Sequence, residues 1–264
     1  MCILFLAVNQ HPRYPLIIAA NRDEFYARPT AASQFWEDSP DVLAGRDLEA
    51  GGTWMGMNKN GRLAALTNIR APSPPRIETR TRGELISNFL NSATAAQDYA
   101  RILYKSFNRY RGYNLLFGHW DNLRVYNNHL NRIDNVKDGY YGLSNAWLDS
   151  PWPKIESGKA NLEQICSTSD EIYHEDLFDL LRDETKAPEA ELPQTGIPSE
   201  HEKQLSSIFI NIPDYGTRSS TVLTVNEMGH VNWFERTFNE MGDVVGNDRE
   251  FKFNVAPSRA IESA

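Results

Sequence analysis

Residues 2–25 read CILFLAVNQHPRYPLIIAANRDEF, and this stretch decides the fold. The apolar runs 2–8 and 15–20 are typical of buried strands, and the polar residues 9–13 between them predict a turn. Two strands joined by so short a turn are expected to pair as an antiparallel hairpin. The hairpin would bring Asn21-Arg22-Asp23-Glu24, which follows the second strand, beside Cys2 at the start of the first.

Cys2 is the first candidate for chemistry. Removal of Met1, which methionine aminopeptidases perform when residue 2 is small, would give Cys2 a free α-amino group. An α-amine titrates near about 7.7–8.0, so it can accept the thiol proton close to neutral pH. The alternative is that Cys2 is a small buried hydrophobic residue, the commonest role of a lone cysteine.

Arg22 and Asp23 are the expected partners of Cys2. Arg22 would lower the pKa of the thiol or bind an anionic substrate, and Asp23 would accept a hydrogen bond from the α-amine. Neighbouring residues of a strand point to opposite faces, which places one of the two in doubt as a pocket residue. The alternative is a solvated strand end that carries a local Arg–Asp pair.

Several segments resemble the NRDE family, also called the TANGO2 (transport and Golgi organisation 2) family. Besides Met1-Cys2 and the NRDE motif, they are Gly45-Arg46-Asp47, Gly51-Gly52-Thr53-Trp54-Met55-Gly56, Leu66-Thr67-Asn68, Gly142-Leu143-Ser144-Asn145 and Tyr215-Gly216-Thr217-Arg218-Ser219-Ser220-Thr221. The resemblance implies an α+β fold of the N-terminal-nucleophile (Ntn) hydrolase type, a four-layer αββα sandwich. It also implies a connection with haem trafficking and with acyl-CoA or lipid homeostasis, without a hydrolytic reaction common to the family.

A second resemblance supplies the remaining candidate catalytic residues. The cysteine Ntn amidases of the choloylglycine hydrolase type use an N-terminal cysteine with an arginine, an aspartate, two asparagines and a second arginine. By type and order, Asn68, Asn145 and Arg218 complete that set. Each asparagine ends a predicted strand and could supply an oxyanion donor or simply form a turn. The spacing departs from that family, because Arg22 and Asp23 are adjacent here.

The order of elements predicts α+β layering within one domain, 1–264. Strands are expected around the Asn60-Gly61 turn, a loop over 69–80, and a helix that begins in a Thr81-x-x-Glu84 capping box. Residues 183–199 are expected to form a loop or a lid.

Composition limits the classes of partner. With 264 residues, 41% hydrophobic, and a net charge of −8, the chain is large enough for a substantial core and is not a general nucleic-acid binder. Basic residues are densest at Arg70, Arg76, Arg80 and Arg82, which form either a local anion site or a solvated loop.

The two cysteines, Cys2 and Cys166, provide neither a disulfide framework nor a metal quartet. A free catalytic thiol suits a reducing compartment, and we find no signal peptide or membrane-spanning segment, so a cytoplasmic location without stable membrane insertion is expected.

Two classes of function follow. The first is an amide or acyl hydrolase that works through a Cys2 acyl-enzyme and requires no cofactor. The second is a non-enzymatic carrier on the same fold, for haem or for an acyl-CoA or other small hydrophobic acyl ligand. The six histidines form no metal-binding motif, and the sequence selects no haem ligand and no oligomeric state.

Overall fold

The computed structural model describes residues 2–71 and 80–258, and within them fourteen strands form two seven-stranded antiparallel sheets. The strands are β1 (Cys2–Val8), β2 (Leu16–Phe25), β3 (Thr30–Trp36), β4 (Ser39–Asp47), β5 (Met55–Asn58), β6 (Arg62–Asn68), β7 (Tyr113–His119), β8 (Asn122–Asn127), β9 (Arg132–Asn135), β10 (Gly139–Leu143), β11 (Asn211–Ile212), β12 (Tyr215–Val225), β13 (His230–Thr237) and β14 (Arg249–Asn254). The helices are α1 (Gly83–Asn91), α2 (Ala96–Ser106), α3 (Pro153–Thr168), α4 (His174–Leu181) and α5 (Ser199–Gln204).

The first sheet has the order β10-β1-β2-β12-β13-β14, with β11 paired to β12, and the second runs from β3 to β9 in chain order. The predicted hairpin of β1 and β2 is confirmed, and its register places Cys2 opposite Arg22 and Val8 opposite Leu16. β10 flanks β1 on its other side, and β12 flanks β2. Both strands of the hairpin therefore lie in the middle of a sheet.

Alternation along the hairpin produces two cores. Leu4, Leu6, Ile18 and their neighbours point toward the second sheet and pack between the two sheets. Ile3, Phe5 and Ile17 point the other way and pack against α3 and α4. A third core lies between the second sheet and helices α1 and α2. The layers are thus helix, sheet, sheet, helix, which is the αββα sandwich that the resemblance implied.

Some local expectations were wrong. The NRDE residues lie within β2 rather than after it, because β12 pairs with this part of the strand as far as Phe25. The Thr81 capping box does not form, because α1 begins at Gly83 and its N-cap residue is Arg82, whose side chain makes no capping hydrogen bond. Most of the predicted loop 69–80, including Arg76, lies outside the described residues.

Helix α1 approaches the cysteine end of the sandwich through two glycines. A Cβ atom on Gly52 would lie 2.6 Å from the Gly83 carbonyl carbon, so only glycine permits this contact. The beginning of α1 is therefore held beside the loop before β5. Within the described part of the chain, no helix has the length and apolar character needed to cross a bilayer.

Candidate active site

A pocket of about 540 Å³ opens at the end of the sandwich where β1 starts. Four of the six residues predicted from the sequence line it: Cys2, Arg22, Asp23 and Asn68. The other lining residues come from β2, β4, β6 and β12, from the turns after β2 and β4, from the start of α1 with the residues just before it, and from the loop before β7. They are Glu24, Phe25, Arg28, Asp47, Thr53, Trp54, Leu66, Arg80, Thr81, Arg82, Gly83, Arg111 and Tyr215.

Cys2 lies at the floor of this pocket with 8% of its surface exposed. Ser144 fixes its backbone by donating from Oγ to the Cys2 carbonyl oxygen over 3.3 Å. Burial raises the pKa of the thiol and the Asp23 carboxylate raises it further, whereas the nearby Arg22 guanidinium lowers it. The expected influence of Arg22 is present but is outweighed by burial, so the thiol is held neutral and needs a base.

Arg22 points between the two sheets, on the same face as Cys2. Its guanidinium carbon lies 4.2 Å from the ring centroid of Trp54, and its Nη1 donates to Thr30 Oγ1 over 2.9 Å. Stacking on an indole face stabilises a guanidinium whose hydration has been removed. Arg22 is therefore a buried cation fixed beside the thiol.

Asp23 points to the opposite face, toward α3, as strand alternation requires. Its Oδ1 accepts from Thr217 Oγ1 over 2.8 Å, and its carbonyl accepts from the Tyr215 hydroxyl. Burial raises the pKa of Asp23 to about 6, against the lowering effects of the Lys154 and Arg70 cations. Asp23 still reaches the pocket wall because it lies at the end of the sheet, next to the first residue of β1.

The two asparagines have different surroundings. Asn68 ends β6 and lines the pocket with Cys2. Asn145 is buried behind it, donating from Nδ2 to the Asn68 carbonyl over 2.8 Å while its Oδ1 accepts from Ser144 and Arg70. Asn68 is therefore the asparagine that lines the pocket, and Asn145 supports its backbone.

Arg218 is not among the pocket-lining residues. It occupies the bulge in β12 between Thr217 and Ser219, and its Nη1 donates to the carbonyls of Phe25 and Arg28. In this position it fastens the turn that follows β2, at the rim of the pocket.

The predicted arginine cluster divides into two groups. Arg80 and Arg82 line the pocket together with Arg111, which the sequence analysis missed. Arg70 is instead buried in an ion pair with Glu202. The pocket lining therefore includes Arg80 and Arg82 of the predicted cluster but not Arg70.

Sequence reasoning also missed Lys154. It lies in the first turn of α3 with 5% of its surface exposed. A signal was available, since Lys154, Gly158, Leu162 and Cys166 recur every four residues on the apolar face of that helix.

A sequence model described as "Transport and Golgi organisation 2" matches residues 1–240. The chain belongs to this family. The "Transport and Golgi organization protein 2 homolog" of Bos taurus is 37% identical over 257 residues, covering 90% of this chain and 93% of that protein. The homologue of Homo sapiens is 32% identical over 275 residues, covering 97% of this chain and 99% of that protein.

Among solved structures, the C2A mutant of a conjugated bile acid hydrolase from Clostridium perfringens superposes with a TM-score of 0.51. The match covers 96% of this chain and 97% of that one at 9% sequence identity. At so low an identity the likeness concerns the fold alone. The TANGO2 family member described here thus has the Ntn-hydrolase fold.

One cluster elsewhere has the composition of a metal site. Potential ligand atoms of His174, Glu175 and Asp248 lie within 4.8 Å of one another. Arg236 already donates to both carboxylates, at 2.7 Å to Asp248 and 2.9 Å to Glu175. The cluster is therefore explained as an ion-pair network centred on Arg236.

Asp23 should give protein stability a distinct pH dependence. Its pKa is about 6 in the folded protein, whereas the ordinary aspartate value of 3.8 applies to the unfolded chain. Between these two pH values the folded form retains a proton that the unfolded chain releases. This contribution is complete below about pH 4 and is lost as the pH rises to about 6. Asp23→Asn should therefore gain stability relative to wild type over that window, by about 3 kcal/mol at most.

Urea unfolding between pH 4 and 7 measures this difference. Asp41→Asn, which removes an exposed carboxylate of β4, is the control. Its free energy of unfolding should change with pH in the same way as that of the wild type. Parallel curves for Asp23→Asn as well would contradict the assigned burial of an ionisable Asp23.

Proposed function

We propose that this protein, after removal of Met1, is a cysteine hydrolase that cleaves an amide or related acyl bond through a Cys2 acyl-enzyme. One observation carries the proposal: a buried thiol at the floor of a pocket, with Arg22, Asp23 and Asn68 in the wall around it. The fold likeness to a bile acid hydrolase is consistent with this proposal but does not define a substrate.

The raised pKa of the thiol supports a role for the α-amine. A neutral thiol is a poor nucleophile, so a base must remove its proton during attack. The described residues lining the pocket include no histidine, the usual base for such a thiol. The amine created at Cys2 would belong to the same residue as the thiol and would lie next to Asp23.

The reaction balances with these groups alone. The α-amine takes the thiol proton as Sγ bonds to the substrate carbonyl carbon. The tetrahedral intermediate collapses, the C–N bond breaks, and the protonated amine returns its proton to the leaving nitrogen. Water then attacks the thioester while the amine again accepts and returns a proton, which releases a carboxylic acid and restores the Cys2 thiol.

Asn68 is the proposed donor to the oxyanion that forms in both steps. A donor fixed near the thiol stabilises developing charge without reorganising solvent. The hydrogen bond from Asn145 to the Asn68 carbonyl holds the end of β6 in place for that role.

A second candidate function is non-enzymatic binding of an acyl-CoA or a similar anionic lipid. The pocket lining contains five arginines and only three carboxylates, and this excess of positive charge favours an anionic ligand. Arg28 is paired with Asp47 and Arg80 with Glu84. Among the described residues, Arg82 has no carboxylate partner and its side chain donates only to the Gly112 carbonyl. Helix α1 begins beside Arg82, and the N-terminus of a helix favours an anion. Haem as a carried ligand stays a prediction, without an identified axial ligand.

Replacement of Cys2 separates the hydrolase from the carrier. Alanine at position 2 is small enough for Met1 removal to continue, so Cys2→Ala removes only the nucleophile. Turnover of N-acyl amides and acyl thioesters should fall at least about 1,000-fold, and the acyl adduct seen in the intact mass of quenched wild type should disappear. Cys166→Ala, which removes the other cysteine from within α3, should stay within about twofold of wild type.

Unchanged turnover in Cys2→Ala would overturn the nucleophile assignment. Saturable ligand binding without turnover in both wild type and Cys2→Ala would support the carrier instead.

Arg82→Gln tests recognition of an anion. Binding of a long-chain acyl-CoA, measured by calorimetry, should weaken about tenfold because a partly desolvated cation is lost, whereas binding of an uncharged N-acylethanolamine should not change. Arg101→Gln, on the exposed face of α2, is the control for charge alone. Equal acyl-CoA affinities in the two variants would contradict an anion site at Arg82.

A further inference from the structure

A second, much smaller cavity adjoins the active-site pocket at Cys2. Its volume is about 10 Å³, against about 540 Å³ for the pocket. Cys2, Arg22, Trp54 and Leu66 line both cavities, so the two meet around the thiol. A volume of about 10–15 Å³ on this measure holds one water-sized group. The thiol therefore has a large space on one side and room for a single small group on the other.

The small cavity lies between the two sheets, where alanines leave space that larger side chains would fill. Leu4 of β1 pairs with Ala20 of β2 in one sheet, and Met55 of β5 pairs with Ala65 of β6 in the other. All four line the cavity and belong to the core between the sheets. Side chains two residues apart on a strand share a face, so the Cys2 thiol points into the same space as Leu4.

The lining of the small cavity favours an apolar occupant. Arg22 and Asn21, two polar members of the lining, are hydrogen-bonded elsewhere, to Thr30 and to the Leu181 carbonyl. Thr221 adds one hydroxyl. A stably bound water needs two to four polar partners, whereas a methyl group needs none. A methyl group is therefore the occupant that matches both the size and the polarity of this cavity.

Trp54 forms the wall that the two cavities share, and its position is fixed on three sides. Its carbonyl accepts from the Leu66 backbone N–H over 2.9 Å. The Arg22 guanidinium lies over its ring, with 4.2 Å between the guanidinium carbon and the ring centroid. A Cβ atom on Gly45 would overlap the indole atoms Cη2 and Cζ2, so the ring tip occupies the space that only glycine leaves open there. The size of the small cavity is thus set by a clamped side chain.

The larger pocket has a different character. Its lining contains more arginines than carboxylates, and Arg82 has no carboxylate partner among the described residues. An anionic group is attracted to this side of Cys2, whereas a charge placed between Leu4 and Met55 would lose its hydration without compensation. A carbonyl group held at the thiol is therefore oriented, with its small apolar substituent toward the core and its anionic part toward the pocket.

We propose that the Cys2 site takes an acetyl-sized acyl group from an amide or thioester with a larger, anionic leaving group, and that Trp54 is the residue that limits the length of the acyl chain. The inference rests on the proposed function for its chemistry. The size limit belongs to the cavity, so it can be measured in a single acyl transfer to Cys2 without turnover.

The acyl transfer balances as follows. The Cys2 Sγ bonds to the acetyl carbonyl carbon, the bond from that carbon to the leaving nitrogen or sulfur breaks, and the thiol proton passes to the leaving group. Water then gives its hydroxyl to the acyl carbon and a proton to Sγ, which releases acetic acid and restores the thiol.

Three thioesters with one leaving group measure the acyl preference. S-acetyl-, S-butanoyl- and S-octanoylglutathione all release glutathione, which carries two carboxylates, and intact mass follows the acylation of Cys2 with Cys2→Ala as the blank. In the wild type, acetyl transfer should be at least about tenfold faster than octanoyl transfer, because the longer chain does not fit between the sheets. Trp54→Leu should bring the ratio of the two rates close to one by enlarging the cavity.

Trp36→Leu is the matched control. The Trp36 ring also carries a guanidinium, that of Arg46, with 4.3 Å between the guanidinium carbon and the ring centroid. Trp36 is not among the described residues that line either cavity. Its replacement should leave the acetyl-to-octanoyl ratio unchanged. The ratio is the readout because loss of the ring beneath Arg22 in Trp54→Leu affects the transfer of both acyl groups.

Ala65→Val covers the case in which Trp54→Leu does not fold. Ala65 lines the small cavity but is not among the described residues that line the pocket, and valine adds two methyl groups to it. Acetyl transfer should slow at least about tenfold, since the added methyl groups occupy the space of the acetyl methyl. An unchanged acetyl rate in this variant would overturn the proposal.

The rates in the wild type separate this proposal from the hydrolase itself. Equal acetyl and octanoyl rates would overturn the size limit, whether or not the acyl-enzyme is later hydrolysed. A preference for acetyl with an adduct that persists in water would retain the size limit and reject only the hydrolase. No acylation of Cys2 by any of the three thioesters would overturn both.

Discussion

The antiparallel pairing of β1 with β2, with Cys2 opposite Arg22, is the constraint from which the site follows. That register directs the thiol and the guanidinium into the space between the sheets and directs Asp23 to the helix-facing side. A slip of one residue would move every side chain of the strand to the opposite face of the sheet, and the packing of two cores would be disrupted at once. Because β10 and β12 enclose the hairpin, the register is fixed from both sides.

Burial determines the chemistry that the site can perform. The same desolvation that keeps the thiol neutral raises the pKa of Asp23 and lowers that of Lys154. Each of these groups can therefore be charged only where a partner compensates it, and the partners come from strands, helices and the segment around α5. Catalysis on this fold would depend on assembling these separate elements around the first residue of one strand.

Sequence reasoning predicted the part of the site that local pattern controls. Two apolar runs and a short turn are enough to place Arg22 beside Cys2, and alternation is enough to separate Arg22 from Asp23. The sequence could not show that β12 would extend β2 through the NRDE residues, since that pairing joins segments almost 200 residues apart. The same limit applies to Asn145: its strand-end position was readable, whereas its hydrogen bond to Asn68 depends on contact between the two sheets.

Long-range electrostatics explains the other differences. Arg70 looked like a member of an exposed basic cluster because its partner, Glu202, lies 132 residues away. Lys154 looked like an ordinary charge at the start of a helix, although its four-residue spacing with Gly158 and Leu162 placed it on the buried face. Only the packing of α3 against β1 and β10 buries that face of the helix.

The central claim is that Cys2 becomes an N-terminal nucleophile, and intact mass of the protein from its native host tests it most directly. The sample is measured before and after brief exposure to iodoacetamide, with Cys2→Ala measured in parallel. The account predicts a mass that lacks one methionine and a single fast alkylation that Cys2→Ala abolishes. A retained methionine with slow alkylation of the wild type would contradict it.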